Sequence, residues 1–159
     1  MTEGKRNKKK ARSELTIFSI PFNPAEIKET ITINTNTNYQ LSKEEIIDQA
    51  FKFHSQGNIL EAAKYYQTFI NQDFKDHRVF SNYGVILKDI GKLRQAELCT
   101  RKAIELNPDF AEAYFNLGNI LKDLDNLQDA ELSTRKAIEL NPNLVNAHLN
   151  LGNILKDLG

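Results

Sequence analysis

Arg101-Lys102-Ala103-Ile104-Glu105-Leu106-Asn107-Pro108 returns without a change at residues 135–142, 34 positions later. The same interval carries Ile86-Leu87-Lys88-Asp89 onto Ile120-Leu121-Lys122-Asp123, and residues 77–110 laid over 111–144 agree at 19 of 34 positions with no gap. Residues 145–159 restate the first half of the unit, with 150–158 matching 116–124, and residues 43–76 follow the period more loosely. A period of this length marks a repeat architecture, in which a unit too small to bury its own apolar face stacks it on its neighbours. The expected organisation is an all-α solenoid with repeats at 43–76, 77–110 and 111–144 and a half repeat at 145–159.

Within the unit the hydrophobic period is helical. Ala113, Leu117, Ile120 and Leu124 form one stripe across a first helix at about 111–124. A second helix starts near Leu127, turns Ala130, Ala137 and Ile138 inward, and stops at Asn141-Pro142, because a residue before proline is pushed out of helical angles. Gly118 lies inside the first helix, where glycine costs roughly 1 kcal/mol against alanine. The reading is that the paired helix crosses there and leaves no room for a side chain. Ser42 with Glu45 predicts a capping box at the start of the array, and Asp109 with Glu112 predicts a cap at the third repeat.

These residues resemble the tetratricopeptide-repeat family. Its small residue at position 8 is matched by Ala50, Gly84, Gly118 and Gly152, and its large apolar residue at position 11 by Phe53, Leu87, Leu121 and Leu155. The alanine at position 20 is Ala62, Ala96 and Ala130, the small residue at position 27 is Ala103 and Ala137, and the proline at position 32 is Pro108 and Pro142. The first repeat departs, with Phe69 for the alanine and Phe74 for the proline, and position 24 is Tyr66 there but Thr100 and Thr134 later. The resemblance implies a right-handed superhelix whose concave face is lined by the first helix of each repeat.

Positions 2, 6, 9 and 13 of the first helices share a face at i, i+4, i+7, i+11 spacing, opposite the apolar stripe. They are Arg78, Asn82, Val85 and Asp89, then Glu112, Asn116, Asn119 and Asp123, then Asn146, Asn150, Asn153 and Asp157. Stacking gives a ladder of Asn82, Asn116 and Asn150, flanked by Lys88, Lys122 and Lys156. An amide offers a donor and an acceptor, so such a ladder suits the backbone of an extended peptide whatever its side chains. The ladder is similar to that of the arrays in O-linked N-acetylglucosamine transferases. The competing reading is a solvated face copied by duplication. The carboxylate clamp of chaperone-binding members of the family needs Lys and Asn at positions 5 and 9, then Lys and Arg at positions 2 and 6 two repeats on. Ile47 and Phe51, or Ser81 and Val85, followed by Glu112 and Asn116, or Asn146 and Asn150, do not supply it.

Composition adds bounds. Formal charge is zero, yet residues 1–12 hold six cations against one acid, so the rest of the chain carries the matching acidic excess. This basic head suits nucleic acid or an anionic surface, but one short run reads first as a solvated tail. Residues 1–41 are expected to be a mostly disordered leader. The alternating run at 31–38 has no partner strand, and Pro21 interrupts what would otherwise suggest a signal peptide. No stretch approaches the roughly 18 apolar residues of a membrane helix. Cys99 is the single cysteine, which excludes an internal disulfide and points to a reducing, cytoplasmic setting.

The titratable residues suggest no chemistry. His54, His77 and His148 fall in different repeats without ligand spacing, and His148 replaces Tyr114 as a packing residue. Cys99 exchanges with Ser133, as at a tolerant small-residue site. Glu97, Arg101, Glu105 and Glu131, Arg135, Glu139 read as ion-paired outer faces. No catalytic, metal or cofactor site is expected. The expected function is a scaffold or adaptor that holds an extended peptide of another protein, with no membrane or nucleic-acid partner. The alternative is a substrate-recruiting region of a larger enzyme such as a glycosyltransferase or sulfotransferase. Stopping after one helix of the last repeat predicts that Leu151, Leu155 and Leu158 lack cover. That fits a chain continuing past Gly159, self-association through this end, or an adequate terminal cap.

Overall fold

The computed structural model describes residues 41–159. The basic head, the alternating run at 31–38 and the disorder expected of the leader lie outside the described residues. The described part is all-helical: α1 (Lys43–Ser55), α2 (Ile59–Asn71), α3 (His77–Asp89), α4 (Leu93–Leu106), α5 (Ala111–Asp123), α6 (Leu127–Leu140) and α7 (Val145–Leu158). α1 packs on α2, α3 on α4 and α5 on α6, and each second helix also packs on the first helix of the next repeat. The first helices touch one another directly, α3 on α5 and α5 on α7.

Local chemistry sets the helix boundaries. The Ser42 hydroxyl accepts the Glu45 amide and the Glu45 carboxylate accepts the Ser42 amide, the expected capping box. At α3 the Asp76 carboxylate accepts the Arg78 amide at 2.9 Å and takes two further bonds from the same guanidinium. The cap expected from Asp109 and Glu112 does not form. Phe110 occupies that position without a side-chain bond, and the Asn107 side chain accepts the Asp109 amide at 3.2 Å instead. Asn141 does the same for Asn143 one repeat later. The asparagine before proline therefore organises the turn locally and takes the Asp109 amide that Glu112 would have accepted, and α5 begins after Phe110, one residue later than the expected cap. Within the repeats the helices are joined by tight turns in which Gly57 (φ 74°) and Gly91 (φ 78°) take left-handed angles; Asp125 (φ 60°) fills the equivalent place in the third repeat.

The two mid-helix glycines mark close helix crossings. A Cβ on Gly118 would overlap the Thr134 hydroxyl and lie 3.2 Å from the Ala130 carbonyl oxygen; Gly84 stands in the same relation to Thr100 and Ala96. In the first repeat the corresponding positions hold Ala50 and Tyr66 in place of glycine and threonine, and both are fully buried. Below the crossings, Leu117, Leu121, Ala130 and Ile154 form one core cluster and Phe80, Ala103 and Ala113 another. Phe69 and Phe74, the departures of the first repeat, pack on each other with ring centroids 5.4 Å apart, and Phe69 is fully buried. An aromatic pair thus holds the turn that proline stiffens later.

On the second helices the ion pairs differ from expectation. Arg101 pairs with Glu97 and Arg135 with Glu131, but Glu105 and Glu139 pair with Lys102 and Lys136. The competing i, i+3 lysines take them, and such exposed pairs contribute little.

Candidate peptide-binding face

The ladder asparagines lie on neighbouring first helices, and each turns an amide N–H back into the array. Asn82 Nδ2 donates to Tyr66 Oη at 3.4 Å, Asn116 Nδ2 to Ser81 Oγ at 3.0 Å, and Asn150 Nδ2 to Thr134 Oγ1 at 3.4 Å. Asn82 and Asn116 are half-buried, while Asn150 is only 8% exposed. Among the described residues none donates to the three amide oxygens. The ladder therefore braces adjoining repeats as well as presenting acceptors, a double role that helical spacing alone does not reveal. Asn119 is half-buried like Asn116, while Asn153 is exposed where Asn150 is buried, so the position-9 amide is the more accessible one in the last repeat. Lys88 is half-buried and pairs with exposed Asp89 at 2.8 Å; Lys122 and Asp123 occupy the same places one repeat on.

The face differs at its first-repeat end, where the structure assembles a cluster that the sequence reading missed. The Arg78 guanidinium sits 5.3 Å above the Phe51 ring, a cation–π arrangement. Phe51 meets Tyr66 edge-on at 6.0 Å, and Tyr66 Oη lies 2.9 Å from His54 Nδ1. Burial lowers the His54 pKa against the attraction of Asp89. Burial pushes the Tyr66 phenol up to about 12, offset in part by its bond from Asn82. The signal was present in the sequence, since Phe51 holds position 9, the place of Val85, Asn119 and Asn153 in later repeats.

The remaining titratable groups separate from this face. His77 packs edge-on against Phe110 at 4.8 Å. His148 is exposed and bonds the Pro142 carbonyl at 2.9 Å, so it secures a turn and does not pack as Tyr114 was expected to imply. Cys99 is buried, and burial pushes its thiol up to about 12, which opposes formation of a nucleophilic thiolate. No group of three or more His, Cys, Asp or Glu suited to a metal occurs among the described residues. A depression of about 410 Å³ is lined by Arg101 and Ile104 of α4, Tyr114 and Leu117 of α5, and Leu132 and Lys136 of α6. Its two cations are already paired with Glu97 and Glu139.

The geometry defines a class first: paired antiparallel helices repeated every 34 residues, acting through surfaces of stacked helices. Residues 111–144 match the family model described as tetratricopeptide repeat, and residues 84–125 one described as TPR repeat. Residues 84–144 are thus tetratricopeptide repeats, and the helices on either side of them are packed in the same way. Among solved structures, the first TPR of Spaghetti (RPAP3) bound to an HSP90 peptide is 23% identical. It aligns with a TM-score of 0.68 over 74% of this chain and 96% of its own. The TPR2B domain of yeast Sti1 in its pHsp70 complex is 19% identical, with a TM-score of 0.65 over 72% and 97%. The Thermobaculum terrenum O-GlcNAc transferase is 22% identical, with a TM-score of 0.67 over 71% of this chain but 22% of that one. These likenesses show the fold. Comparison with curated proteins finds no match. No helix among the described residues is long and apolar enough to cross a membrane.

Proposed function

We propose that the face built from α1, α3, α5 and α7 holds an extended peptide of another protein, making the chain a scaffold or adaptor. The observation that carries this reading is the bond from Asn116 to Ser81 with its counterparts at Asn82 and Asn150. Each amide is fixed from behind with its oxygen left to accept a peptide N–H. Fixing a side chain beforehand spares the ~0.5–1.5 kcal/mol that ordering it on binding costs. Asn119 and Asn153 add donors and acceptors, while Lys88, Lys122, Asp89 and Asp123 supply both signs of charge along the same helices. Of the structural neighbours, the RPAP3 domain is bound to an HSP90 peptide and the Sti1 domain is in a pHsp70 complex. This chain lacks the paired cations that a terminal carboxylate needs, which favours a ligand read through its backbone. Peptides selected from a random display library on the full chain test the reading. Asn119→Ala with Asn153→Ala is expected to lose capture with helicity intact; undiminished capture refutes it. Replacing Asn82, Asn116 and Asn150 together tests binding less cleanly, because it also removes the bonds between repeats.

A second reading, recruitment of substrate for a larger enzyme such as a glycosyltransferase or sulfotransferase, draws on the likeness to an O-GlcNAc transferase in which the aligned part is 22% of the chain. The mass of the native polypeptide tests it. A product much heavier than 18.2 kDa with a catalytic domain supports it, and a product of that mass refutes it.

A further inference from the structure

The two ends of the described array are finished differently. At α7, of the three leucines expected to lack cover, Leu155 is exposed, Leu151 is half-buried and Leu158 packs against the cluster of Leu117, Leu121, Ala130 and Ile154. At the first repeat, a chain of hydrogen bonds runs through the interior to the peptide face. Tyr66 is fully buried, so its hydroxyl proton has to be accepted by a neighbouring side chain. His54 and Asn82 are its hydrogen-bond partners among the described residues. Asn82 Nδ2 can only donate, so Tyr66 Oη accepts from α3 and gives its own proton to Nδ1 of His54 on α1, 2.9 Å away. That order requires Nδ1 to be an acceptor, which it is only in the neutral imidazole that carries its proton on Nε2. Burial of His54 favours the neutral form, against the attraction of Asp89 on α3. On α2 Tyr66 meets the imidazole edge-on, with ring centroids 5.8 Å apart; on α3 Asp89 is paired with Lys88; Lys52 shares the last turn of α1 with His54.

We propose that protonation of His54 reverses this chain and turns the Asn82 amide over, so that the face presents a donor where it presented an acceptor. Imidazolium carries a proton on Nδ1 as well, so His54 then donates to Tyr66 Oη. The phenol proton, displaced from His54 and still buried, has one partner left among the described residues, Asn82. Asn82 meets it by rotating about its Cβ–Cγ bond, a torsion with two broad wells, which brings Oδ1 inward and sends Nδ2 out to the face. No described residue donates to Asn82 Oδ1, and Asn82 is only half-buried, so the rotation breaks no bond except the one it replaces. The proton comes from solvent, and only the imidazole changes its charge. Asn116 and Asn150 lie against the hydroxyls of Ser81 and Thr134 instead of a phenol backed by histidine, so the device belongs to the first rung of the ladder. Its effect on a ligand rests on the peptide-binding reading: in acid, a peptide N–H that Asn82 Oδ1 accepted meets a second donor.

Side-chain resonances of the isotopically labelled full chain, with no peptide added, test the device between pH ~7.5 and ~5, where histidine titrates and carboxylates largely do not. The His54 ring is expected to titrate, and the Asn82 Nδ2 signals to move with the same midpoint, while those of Asn116 and Asn150 stay. Tyr66→Phe removes the hydroxyl that links the two, so His54 is expected to titrate still, with Asn82 unmoved. His54→Gln keeps a polar side chain without a change of charge. It is expected to make Asn82 insensitive to pH, which separates the effect from His77 and His148. Three results overturn the proposal: a His54 ring that stays neutral down to pH ~5, Asn82 signals that ignore its titration, or signals that follow it equally in Tyr66→Phe. The last would mean that the charge acts through space. A display-selected peptide is expected to bind the parent about two- to tenfold more weakly at pH ~5 than at pH ~7.5, and His54→Gln alike at both. A parent that binds alike at both overturns the consequence for the ligand. Failure to capture any peptide refutes the reading of the face, and the reversal in the free chain then stands or falls on the titration alone.

Discussion

Replacing Gly118 with alanine sets two effects of opposite sign against each other. Alanine in a helix interior gains ~1 kcal/mol over glycine. Against this, the new methyl overlaps the Thr134 hydroxyl and approaches the Ala130 carbonyl to 3.2 Å. Thr134 has little freedom to yield. It is fully buried, donates to Ala130 O at 2.8 Å and accepts from Asn150 Nδ2 at 3.4 Å. Overpacking costs ~1–3 kcal/mol, and rotating the hydroxyl away forfeits hydrogen bonds worth ~1 kcal/mol each. The net expectation is a loss of about 1–3 kcal/mol after the propensity gain is subtracted. Gly152→Ala is the internal control. It sits in the same Asn-Leu-Gly-Asn-Ile-Leu string with no atom within 4 Å of the added carbon, so only the propensity gain of ~1 kcal/mol remains. Urea unfolding followed by far-ultraviolet circular dichroism measures both. Because repeat arrays do not always unfold as one unit, hydrogen exchange at α5 and α6 amides locates the change. Shifts of the same sign in the two variants would refute the argument that helix crossing dictates the glycine.

Three further outcomes follow from particular contacts. Thr100 Oγ1 is buried without a partner whereas Thr134 Oγ1 has two, so Thr100→Val should be neutral or stabilising and Thr134→Val should cost ~1–2 kcal/mol by denaturant titration. Cys99, Tyr66 and Tyr83 are each pushed up to about 12 by burial, from ordinary values of 9.0 for the thiol and 10.0 for the phenols. The unfolded chain releases those protons first, so stability is complete below pH ~9 and declines as pH rises toward 12. Alkaline melting curves check this, as does native Cys99 that resists alkylation until denaturant is added. Ser42→Ala removes the capping box of α1 and should cost ~1 kcal/mol, read as faster hydrogen exchange confined to the first repeat.

The repeat period, the helix pairs and the reason for Gly118 were legible in the sequence because a unit copied nearly verbatim states its own boundaries and spacing. The turn chemistry was not. Asp109 and Glu112 satisfy the letter of a cap, but Asn107, placed before proline, takes the Asp109 amide, and the helix starts after Phe110. The position of the candidate face was legible from the spacing of Asn82, Asn116 and Asn150. Their inward bonds were not, since these depend on what the preceding repeat places opposite: Tyr66, Ser81 and Thr134 in turn. The Phe51, Arg78, Tyr66 and His54 cluster joins two repeats that the sequence shows to be the least alike, so no repetition announced it.

The central claim, that the first-helix face receives an extended peptide, is tested most directly through side-chain amide resonances. A display-selected peptide is titrated into the full chain, and the Nδ2 signals of Asn82, Asn116, Asn119, Asn150 and Asn153 are followed. The account predicts that Asn119 and Asn153 shift in saturable fashion together with the ladder asparagines, while amides of α4 and α6 stay in place. Shifts centred on α4 and α6, with the asparagine signals unmoved, would contradict it.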